Sequence, residues 1–310
     1  MKLRIGSRGS QLALWQANHI AALLTGQGHA VEIQIIKTTG DRLQEVTFAQ
    51  VGSKGMFTKE IEEALAAGSI DLAVHSLKDL PTELLEPFQL AATPPRVDPR
   101  DVFVSLKYQK LAELPHGARV GTSSQRRRSQ LKALRPDLEA VEFRGNVDTR
   151  LRKLAEGQVE AILLAAAGLD RLGKTDWVRE RLPLTDFCPA AGQGSLGIEI
   201  RKNDPATLDA ISFLDDAGTR FAVTAERAAL AALGGGCQVP IGIHCRGALV
   251  GEGSELWDEI YAVVADPATG QAVRVHHRAV VGEFSPETLG KKAVEMLLAA
   301  GAAPLLAAHT

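Results

Sequence analysis

Ile5-Gly-Ser-Arg-Gly-Ser-Gln-Leu12 and Val120-Gly-Thr-Ser-Ser-Gln-Arg126 are two versions of one pattern. Each ends an apolar strand, turns on small polar residues and starts a helix. A second pair follows: Gly68-Ser-Ile-Asp-Leu-Ala-Val74 and Gly157-Gln-Val-Glu-Ala-Ile-Leu163 each read as a strand entering a loop, at similar spacing from the first. The repeat is compatible with convergent βα units and with two related α/β domains facing each other across a cleft. Thr93-Pro-Pro-Arg-Val-Asp-Pro99 reads as a linker between the copies, and the chain leaves the second around Pro189-Ala-Ala-Gly-Gln-Gly194.

Outward from these stretches, residues 2–6 form a strand, and a helix from about Ser10 carries Leu12, Trp15, His19 and Leu23 along one face. Val31, Ile33 and Ile35 alternate as a strand; Phe57, Ile61, Ala64 and Leu65 mark a helix; Ile70–His75 is a strand. Alternating β and α elements imply mostly parallel sheets with ligands at the strand C-terminal ends. Past about residue 218 the pattern becomes a helix to Leu233, three strand-like runs (239–249, 257–265, 272–281) and a terminal helix, which is α+β. The expected fold is α/β with a smaller C-terminal α+β domain. The expected boundaries are 1–95 with 195–214, then 100–190, then 218–310.

A chain of 310 residues exceeds one typical domain, and 45% apolar residues suffice for several cores. The balance of 35 basic against 37 acidic side chains excludes a dedicated nucleic-acid binder, so any cationic site is local. Three cysteines, Cys188, Cys237 and Cys245, do not make a disulfide framework or a zinc site. No dinucleotide or P-loop fingerprint and no metal-ligand spacing occurs. The N-terminus lacks an apolar signal core, and no apolar run approaches the roughly 20 residues of a membrane span. A soluble, cytoplasmic protein is expected.

Several short motifs carry chemistry. Gly6-Ser-Arg8-Gly-Ser10 places backbone N–H groups and a guanidinium at a helix start, which suits an anion, although Ser10 can also act as a simple cap. Arg126, Arg127 and Arg128 follow Thr122, Ser123 and Ser124 at another helix start, where cations are disfavoured unless an anion joins them. Successive helical residues diverge by about 100°, so these three cannot all face one site. Arg144 precedes Gly145, and Arg150 sits about one helical turn further on. Arg171 is a weaker candidate that can simply pair with an acid. In His75-Ser-Leu-Lys78-Asp79, a carboxylate beside a lysine at a strand end is placed to stabilise positive charge on a ligand. His75 offers acid–base chemistry or a brace for the loop. Lys54, between Gly52 and Gly55 and followed by Phe57, suggests a loop that closes over a site or a plain solvated loop. Gly234-Gly-Gly-Cys237-Gln-Val-Pro240 exposes a thiol after a helix C-terminus, where the dipole does not activate it, so it reads as an accessible anchor. Cys188 and Cys245 lack that setting and read as ordinary thiols.

In this order, Ser7-Arg8-Gly-Ser10-Gln-Leu-Ala-Leu-Trp15, His75-Ser-Leu-Lys-Asp79, Gly121-Thr-Ser-Ser-Gln-Arg-Arg127, Arg144-Gly-Asn146 with Thr149-Arg150, Gly192-Gln-Gly194, Thr224-Ala-Glu-Arg227 and Gly235-Gly-Cys237-Gln-Val-Pro240 closely resemble the porphobilinogen deaminase family. The resemblance runs from Arg4 to the terminal helix. It implies two domains like periplasmic binding proteins flanking the active cleft, a third domain carrying the cofactor cysteine, and a monomer. It further implies a dipyrromethane cofactor joined to Cys237 by a thioether. Four porphobilinogen molecules are then coupled head to tail, each losing ammonia, into linear hydroxymethylbilane. On the same grounds Asp79 is catalytic, and Lys78, Thr122, Ser124, Arg126, Arg127, Arg144, Gly145 and Arg150 hold the cofactor beside Cys237. Arg8, Ser10, Arg144, Arg150 and Arg171 bind substrate carboxylates, and Lys54 and Phe57 belong to a lid. Gln50 stands where some members carry lysine, and Gly9 departs from the usual turn. The competing expectation is a non-enzymatic anion-binding protein with an incidental Cys237.

Overall fold

Buried strands such as Val102-Phe-Val104 and Ala161-Ile-Leu-Leu-Ala165 are apolar at nearly every position, as strands covered on both faces must be. The computed structural model describes residues 1–38, 58–234, 240–250 and 256–307. Along the chain the elements are β1 Lys2–Ser7, α1 Gln11–Gly26, β2 Ala30–Ile35, α2 Lys59–Ala66, β3 Leu72–Ser76, β4 Phe88–Ala92 and β5 Asp101–Val104. There follow β6 Arg119–Gly121, α3 Gln125–Leu134, β7 Glu139–Val141, α4 Val147–Ala155, β8 Ala161–Ala165, α5 Ala166–Arg171, β9 Val178–Arg181 and β10 Leu196–Arg201. The last are α6 Pro205–Ile211, α7 Ala217–Ala232, β11 Ile241–Val250, β12 Leu256–Ala265, β13 Ala272–Val280, α8 Pro286–Ala299 and α9 Ala303–Ala307.

Two compact units result, Met1–Val97 with Ser195–Arg220, and Asp98–Gly194 with Phe221–Thr310. The first holds a sheet in the order β2-β1-β3-β10-β4, in which β10 alone runs antiparallel. One face packs Leu3, Ile5, Val74 and Ile198 against Ala17, Ile20 and Leu24 of α1. The other packs Ala73 and Phe88 against Ile61 and Leu65 of α2. The second unit repeats the layout as β7-β6-β8-β5-β9, with β5 antiparallel to both neighbours. Leu131 of α3 covers one face of that sheet, and Leu151 and Leu154 of α4 cover the other. The expected α/β pair is thus built on one strand order used twice.

A smaller α+β domain closes the chain. Its antiparallel sheet β11-β12-β13 packs Ile243, Ile260 and Val264 against Ala225 of α7 and Leu289 and Leu297 of α8. The two helices touch at Gly290, where any Cβ would strike the Ala225 carbonyl.

Side-chain caps set the helix starts. Ser10 accepts from Ala13 N, Ser124 from Arg127 N, Asn146 from Thr149 N and Ser285 from Thr288 N, each worth about 1 kcal/mol. The expected apolar face of α1 needs correction: the buried stripe is Gln16, Ala17, Ile20 and Leu24, while Trp15 and Leu23 face outward. Large apolar residues misled the periodicity because the true stripe uses alanine and a glutamine, whose Nε2 donates to Ser76 Oγ at 2.7 Å.

Candidate active site

In the first unit, neighbouring parallel strands β1 and β3 deliver the motif residues to the same sheet edge. Past β1, Arg8 is half-buried and Ser10 caps α1, its Oγ accepting from Ala13 N at 3.3 Å. Past β3 the chain makes one 3-10 turn, Leu77–Asp79. That turn is held by its backbone: Leu77 N donates to the Ser195 carbonyl at 3.0 Å, and Leu80 N to the Leu77 carbonyl at 3.1 Å. The Asp79 side chain takes no part and stands exposed, beside half-buried Lys78.

In the second unit, the C-terminal ends of β6, β7 and β8 carry the arginines. Asp101, fully buried at the start of β5, accepts Arg126 Nη1 at 2.6 Å, Arg127 Nε at 2.9 Å and Gln193 Nε2 at 3.0 Å. Arg126 Nη1 also donates to the Cys188 carbonyl at 2.7 Å, and Arg127 Nη1 to that of Leu163 at 3.2 Å. Burial alone would raise the Asp101 pKa, but the two guanidinium groups outweigh it and hold the carboxyl well below the usual range. Arg128 turns away to Glu142 and the Ala140 carbonyl, as helical divergence requires. Arg144 Nε donates to Glu142 at 2.6 Å.

Arg150 lies one turn into α4. Its Nη2 reaches Ser123 Oγ at 3.4 Å, while its Nε is buried without a hydrogen-bond partner. Burial first, and the Arg127 charge second, lower its pKa to about 10. Gly145 has φ +122 and leaves no room for a Cβ against Thr149, so the turn that aims Arg144 and starts α4 requires glycine. Thr122 is buried, and its Oγ1 accepts from Ser124 N at 3.2 Å. Buried Arg171 donates through Nη2 to the Gly194 carbonyl at 2.8 Å, and burial lowers its pKa to about 10. Arg126 and Arg127 thus pair with Asp101, and Arg128 and Arg144 with Glu142, gathering five guanidinium groups with Arg150 at these strand ends.

A family model described as "Porphobilinogen deaminase, dipyromethane cofactor binding domain" matches residues 3–209, and one described as "Porphobilinogen deaminase, C-terminal domain" matches 220–299. The chain belongs to the porphobilinogen deaminase family. Porphobilinogen deaminase of Nitratidesulfovibrio vulgaris strain Miyazaki F is 49% identical, over 99% of this chain and 96% of that protein. The porphobilinogen deaminase of Trichlorobacter lovleyi is 50% identical, over 98% and 96% respectively. Among solved structures, the methionine-binding protein MetQ superposes with a TM-score of 0.43 at 14% identity, covering 69% of this chain and 88% of that one.

The second unit fits the dipyrromethane cofactor of porphobilinogen deaminases. Its clustered guanidinium groups, the unpartnered Arg150 Nε and the hydroxyls of Ser123 and Ser124 at a helix start form a donor set for carboxylates. Cys237, the lid residues Lys54 and Phe57, and Gln50 lie outside the described residues. The anion that the arginines at the α3 start call for is in part supplied by the protein itself, through Asp101 and Glu142, neither of which the sequence singled out. Asp101 gave a weak signal, an acid heading an apolar strand. Gln193 and Glu226 came only with the resemblance, and their work is now visible. Gln193 joins Asp101 to the Pro99 carbonyl (2.7 Å), and buried Glu226 accepts from Gly192 N (2.6 Å) and Cys245 N (2.7 Å).

Burial pushes the Cys188 thiol up to about 12, and Cys245 is equally enclosed. Neither is expected to react with iodoacetamide in the native protein within an hour at pH 8. Peptide mass mapping checks this, and fast modification of Cys188 would contradict its burial.

Proposed function

We propose that this chain is a hydroxymethylbilane synthase. It joins four porphobilinogen molecules head to tail, releasing ammonia at each addition, on a dipyrromethane primer held by a thioether to Cys237. The observation that carries the reading is the cluster of Arg126, Arg127, Arg128, Arg144 and Arg150 at the strand ends of the second unit, with the buried Arg150 Nε left for a ligand to satisfy. Such a site takes a molecule bearing several carboxylates, and each pyrrole ring of the substrate and primer carries two.

In this reading Arg127, Arg144 and Arg150, with Lys78, Thr122, Ser124 and the Gly145 turn, hold the primer carboxylates. Arg126 works mainly through Asp101, fixing the shape of the cradle from beneath. Arg8 and Ser10 at the α1 start, with Arg144, Arg150 and Arg171, receive carboxylates of incoming substrate. When bound, the primer would supply a nucleophilic terminal pyrrole carbon for the first addition, and the terminal ring of the growing chain would serve for the later ones. Asp79 is exposed on a turn its own side chain does not hold, so its carboxylate is free to meet positive charge developing on the substrate and to accept the proton lost on coupling. Lys54 and Phe57 would act as a lid. We take the chain as three domains, 1–95 with 195–214, 100–190 and 218–310, supported by the separate cores of the two sheets in the second unit. We take it as a cytoplasmic monomer; among the described residues no helix is long and apolar enough to cross a membrane.

Intact-protein mass spectrometry tests the reading. The chain is expected to carry a dipyrromethane adduct that is absent from Cys237→Ser. A bare mass for the unaltered chain, purified from cells making porphobilinogen, would instead leave an anion-binding protein.

A further inference from the structure

One buried titratable cluster lies outside the assignments above. On the α2-facing side of the first sheet, His75 Nε2 lies 2.9 Å from Glu199 Oε2, with the two side chains 7% and 0% exposed. Register places them there, since Glu199 of β10 stands opposite Ala73 of β3 and His75 follows two residues later on the same face. Glu62 of α2, also buried, faces the pair. Burial first, and the Glu199 charge second, raise its pKa. The second Glu199 oxygen, Oε1, is buried without a hydrogen-bond partner. Two largely buried carboxyl groups therefore lie near one imidazole, four residues before Asp79 at the end of its turn.

We propose that His75, braced by Glu199, is a positioning residue for Asp79, fixing the end of β3 so that the 3-10 turn holds its carboxylate in one place. The inference rests on the reading of Asp79 as the catalytic carboxylate. Three anchors meet at this strand end: Gln16 to Ser76 on the α1 side, the Ser195 carbonyl to Leu77 N within the sheet plane, and His75 to Glu199 on the α2 side. The first two restrain position. The third ties the strand end on its α2 side with a hydrogen bond between ionisable groups in a low-dielectric setting, where such bonds are strong.

Comparing His75→Asn with His75→Gln in the holoenzyme tests this. The longer amide can still span to Glu199, whereas the shorter one cannot. His75→Asn is expected to lower kcat about tenfold with KM for porphobilinogen within about twofold, the signature of a misplaced catalytic group, and His75→Gln to stay within about threefold of the original kcat. Amide exchange at Leu77 and Leu80 is expected to quicken in the Asn variant alone. Equal kcat in all three proteins, or a change confined to KM, would overturn the proposal. An active Asp79→Asn would defeat the underlying reading instead, and leaves the His75 comparison unaffected, so the two failures are distinguishable.

Discussion

Asp79→Asn is expected to leave the dipyrromethane adduct in place and to lower single-turnover coupling by about a thousandfold, within the range for losing a charge-stabilising and proton-accepting group. The geometry favours a clean result. The turn is closed by backbone bonds from Leu77 and Leu80, and the exposed carboxylate supports none of them, so an isosteric amide leaves the fold alone. What changes is charge: an amide neither balances a cationic pyrrole nor takes its proton. Quench-flow measurement of one addition, with intact mass on the same sample, separates chemistry from primer loss. Near-normal coupling would sink the assignment of Asp79, whatever the mass shows.

Arg127→Leu and Arg126→Leu are both expected to yield mostly apo-protein, but by different routes. Arg127 pairs with Asp101 and lies close enough to Arg150 to lower its pKa, so its loss removes a positive charge from the proposed cradle while Arg126 still pairs with Asp101. Arg126 joins Asp101 to the Cys188 carbonyl, which Gln130 also holds at 2.9 Å, so its loss strips partners from a fully buried acid. Breaking a buried pair in this way costs about 3–5 kcal/mol, or a fall in Tm of roughly 10 °C for a unit of this size. Arg127→Leu is expected to melt closer to the parent. Adduct mass and thermal denaturation read the two effects, and normal adduct yield from both variants would refute the cradle.

The elements were legible in the sequence because they obey local rules. Strand alternation, the capping serines Ser10 and Ser124, and the shift to segregated strands after residue 218 can each be read within a short window. The C-terminal strands fall close to the runs expected of them. The site was legible in its cations and illegible in its acids. Asp101 lies 25 positions from Arg126, and Glu199 lies 124 from His75. No periodicity links such residues; only strand order brings them together. The α1 face misread for a related reason, since Gln16 is buried by a hydrogen bond to Ser76, 60 positions away. The role of Asp79 came from chemistry and resemblance, not from pattern.

The shared strand order has a consequence for the newborn chain. The first two crossings between the units each lead at once into the lone antiparallel strand of the receiving sheet, β5 after Val97 and β10 after Gly194, whereas the third falls within α7. The five strands of the second sheet all lie between Asp101 and Arg181, whereas the first sheet wants β10 between β3 and β4 and stays open until Arg201 has been synthesised. As the chain is made, β4 therefore lacks its neighbour in the sheet until β10 is added, and the turn bearing Asp79, whose Leu77 amide donates to the Ser195 carbonyl, takes its final shape only when that late strand arrives.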